Sequence, residues 1–248
     1  MRYTLTTLTY NRFSLLKENL KYPLLLDAID KIIINDDCSD DYDLLDNYLK
    51  NNLNIKKINL FRNSSNLGCF RNKLKTLSLS SSDWNILLDS DNSLRPEYLK
   101  SIDNIALDEN VIYCPTILYK PNTDRINFSF PSLNNITVDK SMWNRRFLLS
   151  NNNTTAFNVC NFVISKKASE YLVQESEKYM KKHNYIPTAY DSIVISNLLI
   201  QGGFKMCFVK NMGYNHPTDH PTGVNMSNYK QFINTSKTIE KTIETFNI

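Results

Sequence analysis

Two short acidic motifs carry the most chemistry in this chain. Asp36-Asp37-Cys38-Ser39-Asp40-Asp41 and Asp89-Ser90-Asp91 each follow directly on an apolar run. Two carboxylates at positions i and i+2 repel one another, and a divalent cation held together with phosphate oxygens relieves that repulsion. The competing reading is helix capping, because Asp ahead of a helix satisfies orphan N–H groups, and Asp36, Asp37 and Asp40 all precede a helical pattern. Capping suits Asp89 and Asp91 less well. Farther along, Asp191 stands in Ala189-Tyr190-Asp191-Ser192 before another helical stretch, where helix capping is the plain reading. Tyr214-Asn215-His216-Pro217-Thr218-Asp219-His220-Pro221 holds two of the chain's 3 histidines, and imidazole is a common metal ligand.

The elements around these motifs alternate. Tyr3 to Thr9 reads as a strand, and from Asn11 a helical spacing of Leu15, Leu16 and Leu20 runs to Pro23. Lys31 to Asn35 is too short for a helix and β-branched enough for a buried parallel strand. The pattern repeats as a helix over 42–53, a strand over 55–61, a helix over 67–79 and a strand over 84–88. Such alternation predicts an α/β fold with an open, mostly parallel twisted sheet flanked by helices, its first half Rossmann-like. In sheets of this kind ligands bind outside the carboxyl ends of the strands, where both acidic motifs fall.

Composition narrows the function classes. The 248 residues carry 29 basic and 25 acidic side chains, a net charge of +4, far below the basic footprint of a sequence-independent nucleic-acid binder. Five cysteines without a C-x-x-C pair point to a reducing compartment. No apolar run approaches the roughly 20 residues needed for a transmembrane segment, and Met1-Arg2-Tyr3-Thr4 leads into a strand pattern rather than a signal peptide, so the expectation is a cytoplasmic protein. Thr9-Tyr10-Asn11-Arg12 stands where a dinucleotide-binding dehydrogenase would carry G-x-G-x-x-G, and no Gly-rich basic phosphate loop of a nucleotidyltransferase follows the first strand.

Taken in order, Thr9-Tyr10-Asn11-Arg12, Ile33-Ile34-Asn35-Asp36-Asp37-Cys38-Ser39-Asp40, Asn66-Leu67-Gly68 with Arg71-Asn72, and Asp89-Ser90-Asp91 resemble the motifs of the inverting GT-A glycosyltransferases of family 2. The resemblance covers about the first hundred residues well and the rest loosely. It departs at Cys38, where the family usually has Gly, and at Ser80-Ser81-Ser82-Asp83, where Ala and Gly are common; neither change removes a carboxylate.

The resemblance implies a single catalytic domain with a nucleotide-sugar half over 1–92, an acceptor half over 93–215 and a tail over 216–248. It implies a nucleotide-sugar donor, often a UDP-sugar, held by the backbone around Thr7 and Thr9, by Asn11, Arg12, Asp36 and Asp37, by Asn66 and Gly68, by a nearby basic Arg71 and by Ser90. Mn²⁺ or Mg²⁺ would sit on Asp91 with Asp89 in support, joined by His216 in preference to His220. Asp191 would be the catalytic base that deprotonates an acceptor hydroxyl on a glycan, a lipid-linked sugar or a protein. Trp143, Asn158 and Asn161 are the candidate sugar contacts, Trp143 being equally readable as core. A non-catalytic nucleotide- or glycan-binding module, or a nucleotidyltransferase, is the rival reading. Oligomeric state, and whether the helical pattern of 229–246 covers the site, packs on the body or dimerises, stay open at this level.

Overall fold

A computed structural model describes residues 1–52, 57–151, 153–158, 161–183 and 191–217. The elements are β1 (Tyr3–Thr9), α1 (Phe13–Leu24), β2 (Ile29–Asp36), α2 (Tyr42–Asn52), β3 (Ile58–Arg62), α3 (Cys69–Ser78), β4 (Trp84–Asp89), β5 (Ser93–Leu94), α4 (Pro96–Lys100), β6 (Val111–Tyr119), β7 (Ile126–Ser129), β8 (Thr137–Val138), α5 (Arg145–Leu149), α6 (Asn153–Asn158), β9 (Val163–Ser165), α7 (Lys166–His183), α8 (Asp191–Gln201) and β10 (Lys205–Asn215). They build one sheet in the order β3-β2-β1-β4-β9-β6-β10-β5, with β7 added to β6 and β8 to β10. The first four strands of that order are parallel, and β9 enters antiparallel between β4 and β6.

The apolar runs explain the centre of the sheet. Ile32, Ile33 and Ile34 of β2 and Ile86, Leu87 and Leu88 of β4 are all buried, as a strand covered by helices on both faces requires. Between them β1 is buried along its whole length. Its register sets the site: Thr9 pairs with Asp36 on one side, and Leu8 pairs with Asp89 on the other. Because neighbouring strands lie about 4.8 Å apart, the two acidic motifs end up roughly 10 Å apart across the end of β1.

Several local expectations are corrected. Pro23 lies inside the last turn of α1 rather than ending it, and Lys57 Nζ donates to the carbonyls of Pro23, Leu24 and Leu26 at 3.3, 3.2 and 2.7 Å, closing the helix end. The Asn-rich sequence over 151–155 reads as a polar loop, but helix α6 opens at Asn153, and the strand pattern over 157–165 is realised only at Val163–Ser165. The helical pattern from Met142 starts at Arg145, where the Asn144 side chain accepts the Phe147 N–H at 3.0 Å. The pattern over 193–200 reads as an amphipathic helix, yet α8 is buried nearly all round. His220 and the 229–246 pattern lie outside the described residues. Among the described residues no helix is long and apolar enough to cross a membrane.

Cys38 occupies the turn where Gly was expected, and it keeps the left-handed backbone that Gly would take, with φ +65°. A Cβ in that region costs about 1–2 kcal/mol, partly offset by the greater chain entropy that Gly loses. Cys38→Gly is therefore expected to stabilise the fold by about 0.5–1 kcal/mol. Urea unfolding checks this, and a lowered midpoint would contradict it.

Candidate active site

The loops that follow β1 and β2 are tied together before any ligand is considered. Asn11, itself at φ +51°, donates its backbone N–H to Ser39 Oγ at 2.8 Å, and its amide exchanges bonds with Asp40 at 3.2 and 2.8 Å. Asp41 Oδ2 accepts the Phe13 N–H at 2.9 Å and so caps α1 from across the site. Asp36 Oδ2 accepts the Ser39 N–H at 2.9 Å. Asp37 lies 3% exposed: its Oδ1 accepts the Asn63 side chain and the Leu67 N–H, both at 2.8 Å, and its Oδ2 accepts the Gly68 N–H at 2.9 Å.

The capping reading is thus realised at Asp37, but on the approach to α3 rather than on α2. A buried amide network of Asn35, Asn63 and Asn72 holds Asp37 in place. Gly68, the N-cap of α3, has φ +80° and ψ 160°, a region essentially reserved for glycine, and its N–H is shared between Asp37 and Asn66.

At the end of β4 each acidic side chain meets a cation. Arg12 Nη1 lies 2.8 Å from Asp91 Oδ2, and Lys73 Nζ lies 3.3 Å from Asp89 Oδ1. Lys73 also donates to Asp191 Oδ2 at 2.8 Å and is itself only 3% exposed. Asp191, the first residue of α8, is buried; its Oδ1 accepts the Ser192 N–H at 2.9 Å, and Cys69 Sγ donates to Oδ2 at 3.3 Å. Asp89 at the end of β4 and Asp191 at the start of α8 therefore share one ammonium. Burial and the neighbouring carboxylates also push the Cys69 thiol well up from its ordinary value, in spite of Lys73.

Among the described residues, Thr9 Oγ1, Asn35 Oδ1, Asp36 Oδ1 and Asp89 Oδ1 are buried at this edge without a hydrogen-bond donor. They sit at the ends of three adjacent strands, and buried polar atoms left unpaired cost about 1–3 kcal/mol each. The Lys73 approach to Asp89 Oδ1 is too poorly aligned to count as a hydrogen bond. Polar ligand groups would satisfy such oxygens; a hard cation suits the Asp89 carboxylate, while Asp36, about 10 Å away across β1, lies beyond the reach of the same ion.

Other expected site residues stand differently. His216 donates or accepts through Nδ1 with Asn92 at 2.9 Å, and among the described residues no three acidic, His or Cys side chains stand at metal-holding spacing, so Asp89, Asp91 and His216 are not gathered into one cluster. The physical reason is that each already has a partner of its own. Arg71 is exposed on α3, two positions from Lys73 and so about 200° round the helix from it; Lys73 is the basic side chain that enters the site.

Thr7 is buried within β1, its backbone flanked by Ile34 and Leu88 in the ladder. Ser90 is buried and accepts the Asn19 amide on its carbonyl. Asn161 Oδ1 accepts the Asp89 N–H at 3.0 Å, which makes it a support of the motif rather than a sugar contact. Trp143 is core: 5% exposed, edge-on to Phe157, with Nε1–H donated to Asn197 Oδ1 at 2.9 Å. The side chain of Asn158 lies outside the described residues.

Lys73 and Cys69 are the functional candidates that reading the sequence missed. The available signal was their i, i+4 spacing, which puts both on one face of α3.

Burial of one oxygen, with a quarter of the side chain still exposed, raises the Asp89 carboxyl from its ordinary 3.8 to about 6, against the pull of Lys73. A carboxyl whose folded value is raised contributes its stability fully below the unfolded value and loses it as pH climbs through the folded value. In metal-free buffer the melting temperature of Asp89→Asn relative to the unsubstituted protein is therefore expected to rise between pH 4 and pH 7. A difference that is flat or falling across that window would contradict the buried-carboxyl assignment.

A search of the curated proteins finds no match. Among solved structures the chain is similar to S. aureus TarS 1-349, with TM-score 0.59 at 16% identity, covering 88% of this chain and 60% of that one. It is also similar to the complex of the same protein with UDP-GlcNAc, with TM-score 0.61 at 17% identity over 92% of this chain and 61% of the other. The mannosyltransferase PcManGT from Pyrobaculum calidifontis, in complex with GDP-Man and Mn²⁺, matches with TM-score 0.56 at 12% identity over 89% and 58%. The chain thus spans about three fifths of the length of these structures, which share its GT-A fold. The family model Glycosyl transferase family 2 matches residues 5–172, more than half of the chain, and the protein belongs to that family of glycosyltransferases.

Proposed function

We propose that this enzyme transfers a sugar from a nucleotide-sugar to an acceptor hydroxyl with inversion, by a single displacement that depends on Mn²⁺ or Mg²⁺. The observation that carries the reading is the approach of Asp191, from the acceptor half, to the Asp89 motif through one shared ammonium. In a single displacement the hydroxyl oxygen attacks the anomeric carbon, the bond to the leaving nucleoside diphosphate breaks, and the hydroxyl proton passes to a nearby base. Asp191 is the candidate for that base. Its two short bonds, to Lys73 and to the Ser192 N–H, orient it, while the 3.3 Å contacts with Cys69 Sγ and Ser192 Oγ are the ones an acceptor hydroxyl would replace.

A divalent ion bound to Asp89 and Asp91 would neutralise charge growing on the diphosphate without proton transfer. Asp89 Oδ1 accepts no hydrogen bond although Lys73 stands 3.3 Å from it, so the ion would share Asp89 with Lys73, and Asp91 would have to exchange Arg12, whose guanidinium is then placed to meet a phosphate oxygen. Asp37 Oδ2, with one donor, keeps acceptor capacity for the base or ribose of the donor. That TarS was solved with UDP-GlcNAc and PcManGT with GDP-Man and Mn²⁺ supports a nucleotide-sugar donor here, with UDP-sugars as the first choice. A glycan, a lipid-linked sugar and a protein are the acceptor classes to try.

Two measurements test the reading. UDP with MnCl₂ is expected to raise the melting temperature more than either alone, and GDP with MnCl₂ to raise it less, since a ligand that binds only the native state stabilises it. On a panel of nucleotide-sugars with Mn²⁺, Asp91→Asn and Asp191→Ala are each expected to lose at least about a hundredfold in kcat while staying folded. Turnover close to the unsubstituted rate in Asp191→Ala would remove Asp191 as base. Nucleotide binding without transfer or hydrolysis would favour a binding module instead.

A further inference from the structure

We propose that Lys73 is a positioning residue of the transfer reaction, whose ammonium sets the distance between the base Asp191 and the diphosphate-holding end at Asp89. The proposal rests on the reading of Asp191 as base. Lysine is almost never fully buried unless it is paired, and here a side chain only 3% exposed pairs with carboxylates from two distant parts of the chain. Since Nζ lies 2.8 Å from Asp191 Oδ2 and 3.3 Å from Asp89 Oδ1, those two oxygens stand at most about 6 Å apart. The anomeric carbon must pass between the attacking hydroxyl, held by the base, and the leaving phosphate, held by the Asp89 end, so this span is what a single displacement has to fix.

The fold gives Lys73 its place on α3. It follows Cys69 by four residues on α3, and both side chains reach Asp191 Oδ2 from the same helix face. Removing one partner of a buried ion pair is costly to stability, so Lys73→Met is read by its rate per folded molecule, which would change little if the lysine served only the fold. Loss of a positioning lysine would lower it, because a displacement of about 1 Å in a reacting group costs roughly a hundredfold in rate. The pairing is also unequal. The bond to Asp191 is short and aligned and the approach to Asp89 is longer, so the base is the group that Lys73 holds most firmly.

The test compares Lys73→Met with the unsubstituted protein and with Asp191→Ala, using whichever UDP-sugar the panel shows to be turned over, and includes a crystal structure of the Met variant. Expected are a kcat lowered about a hundredfold, a KM for the UDP-sugar within threefold, and an Asp191 carboxylate turned away from Asp89 by an ångström or more. A kcat within threefold, an equal loss in kcat and donor affinity, or an unmoved Asp191 would each overturn the proposal. The crystal structure decides even where no sugar in the panel is turned over. Wild-type kcat in Asp191→Ala would instead overturn the base reading on which the proposal rests. Should Lys73→Met fail to fold, Lys73→Gln, which retains a hydrogen-bond donor for Asp191, is read in its place; failure of both to fold would assign Lys73 to the structure alone and reject the proposal.

Discussion

Gathering several carboxylates at one edge of a sheet is the constraint on which this structure turns. Asp36 and Asp37 after β2, and Asp89 and Asp91 after β4 with Asp191 beside Asp89, line the carboxyl ends of the strands on the two sides of β1, and left alone they would repel one another. Moving an ion out of water costs several kcal/mol, so each buried carboxylate must be met by cations, N–H donors or a ligand. The protein divides the task. Backbone and amide donors satisfy Asp37, Arg12 meets Asp91, and Lys73 stands between Asp89 and Asp191. The oxygens left unsatisfied on Thr9, Asp36 and Asp89 lie at the carboxyl ends of β1, β2 and β4.

The arrangement meets the Asp89 and Asp91 carboxylates with two basic groups. Arg12 comes from the loop after β1 and Lys73 from the helix after β3, so both belong to the first half of the chain. Only Asp191 arrives from elsewhere. It is carried there by the packing of α8 against α7 and of α7 against α3, which in turn depends on β9 turning antiparallel beside β4. The same insertion supplies Asn161, whose side chain accepts the Asp89 N–H. The second half of the chain thus contributes both Asp191 and a support for the Asp89 motif.

Much of the first half was legible in the sequence because its signals are local. The isoleucine run of β2, the apolar run of β4 and the acidic turns after each depend on near neighbours, and the strand ends fell within a residue or two. Other features needed tertiary partners that spacing does not reveal. Asn153 to Asn158 is helical despite poor propensity because it packs against α5 and α8. Trp143 is core because Phe157 and Asn197 surround it. Lys73 carries no signal of its own in the sequence, and nothing short of the approach of two distant carboxylates distinguishes it from the exposed Arg71. Cys38 shows the reverse: the expected turn survives although the residue best suited to it is missing.

The most direct test of the convergent acidic site is a crystal structure of the protein soaked with UDP and MnCl₂. Anomalous density for manganese between Asp89, Asp91 and the diphosphate is expected, with Arg12 released from Asp91 and Asp191 still within reach of Lys73. Manganese bound elsewhere, or UDP held with the Arg12–Asp91 pair intact and no metal beside it, would contradict the site described here.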